Sequence, residues 1–135
     1  MKYILFLLLM ISSLQGYSLD VQEEYTEALQ KAKNEEKPLL VYLYMLNCLT
    51  CEYMDGEVFQ DKEVVDYLRK NYVVVKLYTN DRSLPDELRV EMSPVFHFIN
   101  GQNGEMIESI MGGRSARKFL KLLRKSYDDY KEETN

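Results

Sequence analysis

Both cysteines of this 135-residue chain lie in one stretch, "MLNCLTCEYM". Cys48 and Cys51 are separated by Leu49 and Thr50 and follow a strand-like run, "PLLVYLYM". Thiols at this spacing can hold a metal, staple a loop or exchange disulfides. A structural zinc site needs four ligands. The single histidine, His97, stands far along the chain, so carboxylates would have to complete the shell. A soft ion such as copper suits Cys48, Cys51, a methionine and His97, but the methionines are scattered and core packing accounts for them. A disulfide here closes a very short loop and stabilises little. Redox exchange needs only what is present. A helix starting near Cys48 puts that thiol at the positive end of the helix dipole, which favours the thiolate. Cys51 lies one turn further in, shielded, yet able to resolve a mixed disulfide formed by Cys48.

The elements around the pair follow from periodicity. Asp20 is placed to cap a first helix, "VQEEYTEALQKAKNEEK", with Tyr25, Ala28, Leu29 and Ala32 on one face and Pro38 beyond its end. "LLVYLYM" is apolar or aromatic throughout, as buried central strands are. The helix after the cysteines runs to about Gly56. Asp61 caps a further helix, "KEVVDYLRKNY", and "VVVKLY" is a second central strand. "SLPDELRVEM" reads as a short helix with Pro85 in its first turn. Pro94 opens "VFHFI", and the "NGQNG" turn leads to "EMIESIM" as a hairpin. Ser115 caps a last helix to about Tyr127, with Phe119, Leu122 and Leu123 inward, and the acidic tail 128–135 is expected to fray. This order predicts an α/β fold with a mixed sheet of about four strands and helices on both faces. Tyr42 and Tyr44 share a strand face, where burial is the default. His97, inside an apolar strand, reads as a packed histidine rather than an acid–base group.

The N-terminus has the pattern of an export signal: Lys2, the apolar run "ILFLLLMI", then small residues Gly16 and Ser18. The apolar run is shorter than the roughly 20 residues of a spanning helix. Cleavage is expected near Ser18, leaving 19–135 as one domain in an exported, periplasm-like compartment where disulfides persist. The chain carries 17 basic and 22 acidic residues, a formal charge of -5. That balance argues against a nucleic-acid partner.

Several segments together resemble the thioredoxin-like family, and within it the C-terminal periplasmic domain of DsbD and its stand-alone bacterial relatives. "KPLLVYLYMLNCLTCEYMDGEVFQDKEVVDYL", "VVVKLYTND", "MSPVFHFINGQNGE" and "MGGRSARKFLKLL" carry the resemblance, over about residues 20 to 127. It implies a thioredoxin fold, with Cys48 as the attacking and Cys51 as the resolving cysteine of a redox-active disulfide. It implies that Pro94 is a cis-proline and that Ser93 pairs with an incoming peptide. Lys76 matches a partly buried lysine beneath the active site. Three departures stand out. Asn47 replaces a tryptophan, Tyr42 replaces a buried acid, and Met92 replaces a frequent glycine before the cis-proline loop. Tyrosine is a poor base, with an ordinary pKa of about 10, so Lys76, Glu52 or water must assist the resolving thiol.

The sequence thus leads us to expect an exported, monomeric thiol:disulfide oxidoreductase with no cofactor beyond the Cys48–Cys51 pair. Its substrates would be disulfides of exported proteins. The resemblance implies a membrane thiol transporter of the DsbD or CcdA type as electron donor. The rival reading is a non-enzymatic binding module, a chaperone or copper handler with the cysteines as ligands.

Overall fold

The computed structural model describes residues 18–135. In chain order it comprises β1 (Val21–Gln22), α1 (Tyr25–Glu35), β2 (Leu39–Tyr44), α2 (Leu49–Gly56), a 3-10 turn (Val58–Gln60) and α3 (Lys62–Asn71). Then follow β3 (Val73–Tyr78), a second 3-10 turn (Asp86–Leu88), β4 (Val95–Ile99), β5 (Met106–Met111) and α4 (Ala116–Thr134). The strands form one sheet in the order β1-β3-β2-β4-β5. β3 runs parallel to β1 and β2, while β4 is antiparallel to β2 and β5. Central β2 is therefore paired on both edges, and Leu39, Leu40, Val41 and Leu43 are fully buried.

Strand alternation splits the core between the two faces of the sheet. On one face Leu39, Val41, Leu43, Val73, Val75 and Val95 pack with Tyr25, Ala28 and Ala32 of α1. On the other, Leu40, Tyr42, Val74, Phe96 and Phe98 pack with Met54 of α2, Leu68 of α3 and Phe119 of α4. The mixed sheet with helices on both faces agrees with the sequence reading, with a fifth strand added.

That strand corrects the first helix. Val21 and Gln22 pair with Val74 and Val75, so these residues are extended and α1 begins at Tyr25. Glu24 is its cap, its carboxylate accepting from the N–H groups of Thr26 and Glu27 at 3.0 and 2.6 Å. Asp20 instead pairs with Lys31 at 2.6 Å. The helix stops before Pro38, at Glu36, which takes the left-handed conformation with φ 54. Asp61 caps α3 as expected, accepting from the N–H groups of Glu63 and Val64.

Two further expectations fail. "SLPDELRVEM" forms a single 3-10 turn, Asp86–Leu88, rather than a helix. The tail does not fray: α4 continues to Thr134 because Tyr130 is buried and Glu133 accepts a hydrogen bond from Asn100 Nδ2 at 3.1 Å. Within α4, Leu120 and Leu123 are buried and Leu122 is half-buried. The expected export signal falls on residues 1–17, outside the described residues. Among the described residues no helix is long and apolar enough to cross a membrane.

Candidate active site

β2 delivers the chain to the cysteines. Beyond Tyr44 the backbone leaves the sheet, with Leu46 exposed and Asn47 exposed at φ 58. Asparagine tolerates this left-handed geometry because its short side chain bonds locally. Cys48 is the N-cap of α2, and its Sγ accepts the N–H of Cys51 at 3.1 Å. The two cysteines are disulfide-bonded, their Cα atoms 5.2 Å apart. Cys51 is 3% exposed. Cys48 is half-buried, the more accessible of the two cysteines. Helix geometry produces this asymmetry, since a cap lies at the surface and the next turn faces the core.

The proline loop is tied to the same helix through the end of β5. The Ser93–Pro94 peptide bond is cis. Pro94 is buried, Ser93 half-buried and Met92 half exposed. The carbonyl of Pro94 accepts the N–H of Gly112 at 2.8 Å. Next to it, a Cβ on Gly113 would lie 2.6 Å from Thr50 Cγ2, between the two cysteines. Glycine is required there by close approach. Arg114 donates its backbone N–H to Met54 Sδ at 3.5 Å, and its guanidinium is committed to the carbonyls of Met111 and Gly113.

Behind α2 lies a polar cluster. Lys76 Nζ pairs with Asp55 at 2.7 Å and sits over the rings of Tyr42 and Tyr44, 5.2 and 4.8 Å from their centroids. The Tyr42 hydroxyl donates to the Cys51 carbonyl at 3.2 Å, and the Asp55 carboxylate lies near it. Burial, and then the negative charge of Asp55, push the phenol far above its ordinary range. Tyr42 therefore stays protonated and serves as a donor, not a base. Tyr42, Asp55 and Lys76 line a cavity of about 410 Å³ whose other walls include Leu19, Val21, Phe59, Val65 and Val74. Asp55 is a site residue that the sequence reading missed. Its signal is its position four residues after Cys51, which puts both on one helix face.

His97 is remote from this chemistry. It is buried on β4, with Nδ1 at 2.8 Å from Ser109 Oγ and Nε2 at 3.0 Å from the carbonyl of Leu88. Both nitrogens are engaged, so the imagined copper set loses its imidazole. Among the described residues no group of three or more His, Cys, Asp or Glu is arranged to hold a metal ion.

A five-stranded mixed sheet in this order, with a disulfide at the start of a helix leaving its central strand, defines a thioredoxin-type fold. The chain belongs to the thioredoxin-like domain family, whose pattern it matches over residues 25–127. Among solved structures it is similar to a thioredoxin from Thermus thermophilus, with TM-score 0.70 and 29% identity, covering 80% of this chain and 86% of that one. A putative disulphide-isomerase from Bacteroides thetaiotaomicron gives TM-score 0.66 and 28% identity over 81% and 93% of the two chains. The DsbD C-terminal domain of Neisseria meningitidis, in the oxidised form, gives TM-score 0.64 over 78% and 99%, and at 18% identity it shows the fold alone. Among curated proteins, spermatogenesis-associated protein 20 of Rattus norvegicus is 36% identical over 67 residues, half of this chain. The chain spans only 8% of that relative. Family, fold and paired cysteines together support thiol–disulfide exchange in general.

Proposed function

We propose that the protein is an exported thiol:disulfide oxidoreductase that reduces or isomerises disulfides in other exported proteins. The observation that carries this reading is the asymmetry of the pair: a half-buried Cys48 capping α2 and a buried Cys51 bonded to it. In the reduced state the Cys48 thiolate is stabilised by the helix start and by the Cys51 N–H that already points at its sulfur. It attacks a partner disulfide and forms a mixed disulfide, releasing one partner thiolate. Cys51 then attacks Cys48 Sγ, which re-forms the Cys48–Cys51 bond and frees the second partner thiol. No cofactor enters the cycle. Ser93 and Pro94 serve as the partner-facing edge, with Met92 and Asn47 at its rim. A membrane thiol transporter of the DsbD or CcdA type would return the electrons, and apocytochromes c are candidate substrates. The protein would act as a monomer.

The test is a trap. Cys51→Ser should accumulate mixed disulfides with partner proteins in non-reducing gels, and Cys48→Ser should not. Equal trapping by both variants, or trapping by Cys48→Ser alone, would reverse or remove the assignment. Stoichiometric metal uptake by the reduced pair without turnover of any disulfide would favour the binding-module reading.

A further inference from the structure

Cys51 is almost fully buried, and burial in apolar surroundings holds a thiol protonated. Resolution of a mixed disulfide needs the Cys51 thiolate, so the buried proton must have somewhere to go. Tyr42, at the strand position closest in sequence logic to a base, is a donor whose phenol stays protonated. A carboxylate is nevertheless at hand. Asp55 follows Cys51 by one helical turn, where side chains have Cβ atoms about 5–6 Å apart, within the span of a carboxylate plus one water. The Tyr42 hydroxyl lies by both, donating to the Cys51 carbonyl at 3.2 Å with the Asp55 carboxylate close enough to act on the phenol. Lys76 fixes the carboxylate from β3 at 2.7 Å. The cavity beside them opens to solvent.

We infer that Asp55 is the proton acceptor for the Cys51 thiol, with Lys76 and Tyr42 as its positioning residues and the cavity as the proton's route to water. The inference rests on the proposed exchange reaction. In the resolving step the Cys51 S–H bond breaks and its proton passes to the Asp55 carboxylate. The Cys51 sulfur forms a bond to Cys48 Sγ, and the Cys48–partner S–S bond breaks. The partner sulfur leaves with the electron pair and is reduced, while the cysteine pair is oxidised. Asp55 then gives its proton to cavity water. The titratable groups facing the cavity are Tyr42 from β2, Lys76 from β3 and Asp55 itself; the 3-10 turn contributes Phe59 and Gln60, and α3 contributes Val65. Exposed Glu52, next to Cys51, lies outside this wall.

The experiment is single-turnover decay of a preformed mixed disulfide on Cys48, followed by quenched gel or mass spectrometry across pH 5–9. In the parent, release should be fast and only weakly pH-dependent. Asp55→Asn should slow release by about a hundredfold, the lower end of what a positioned general base contributes, and make it rise with pH toward one decade per unit. Asp55→Glu should restore most of the rate. Lys76→Met and Tyr42→Phe should give smaller losses with the same change of pH profile. Initial attack by Cys48 on a small disulfide should change far less than release in Asp55→Asn, and circular dichroism should show the parent fold. If Asp55→Asn releases the partner as fast as the parent, with the parent's pH profile, the assignment is overturned. If Cys51→Ser traps no partner at all, the exchange reaction itself falls, which is a separate outcome.

Discussion

His97 shows how one side chain can set a pH limit on the whole fold. It is the chain's single histidine, it is 3% exposed, and both ring nitrogens are bonded. With Nε2–H donated to the Leu88 carbonyl, Nδ1 accepts from the Ser109 hydroxyl, which is the neutral ring. Burial holds its pKa below the ordinary value, opposed only in part by the bond to Leu88. The unfolded chain therefore takes up a proton that the folded chain refuses. Stability from this group is full above the ordinary value of about 6.5 and is lost as pH falls below it, with a limiting slope of about 1.4 kcal/mol per pH unit. Urea unfolding at pH 7 and pH 5 should show the loss, and His97→Gln should flatten it. An unchanged slope in the variant would place the acid sensitivity elsewhere. Sequence alone reached the packed state of His97 from the apolar run around it. It did not reach Ser109 or Leu88, because those partners depend on hairpin register and on the 3-10 turn.

At the scale of elements, what was legible in the sequence tracks what is decided locally. The helix after Cys48, the Asp61 cap and the β4–β5 hairpin depend on short-range capping and turn chemistry, and each is present. The entry to α1 was misread because Val21 and Gln22 answer to β3, more than fifty residues away. The end of α4 was misread for the same reason. Its last turns are acidic and polar, yet Tyr130 is 2% exposed and Glu133 reaches back to Asn100. Asp55 was hidden because its partners, Tyr42 and Lys76, come from two other strands. Deleting residues 128–135 should therefore cost about 2–4 kcal/mol, the loss of one large buried side chain. Chemical denaturation checks this, and Tyr130→Ala should reproduce most of it. A deletion that leaves the midpoint unchanged would restore the frayed tail.

At the scale of the molecule, charge bears on the direction of electron flow. A strong oxidant needs a strongly stabilised thiolate. Here Leu49 and Thr50 between the cysteines carry no charge, and Glu52 follows directly. Lys76 is committed to Asp55, and the Arg114 guanidinium to two carbonyls. No cation among these is left for Cys48, and acidic residues exceed basic ones overall. The expected potential lies near the thioredoxin value of about −270 mV and far from the DsbA value of about −120 mV. Equilibration with a dithiothreitol or glutathione buffer measures it. A value above about −180 mV, that of protein disulfide isomerase, would make the protein an oxidant instead.

The strand order also has a consequence in time. β2, which carries the chain to the cysteines, takes its second edge partner from β4, and the loop closed over α2 by Gly112 and Gly113 comes later still. A chain made from its N-terminal end thus presents both sulfurs before β4, β5 and their loop have emerged. Until the hairpin follows, the thiols are ordinary accessible cysteines on an incomplete sheet, open to any oxidant or stray thiol they meet. Selectivity of the pair is the last property the emerging chain acquires, and any chaperone or oxidase that acts on the nascent chain meets Cys48 and Cys51 before the folded protein's own site exists.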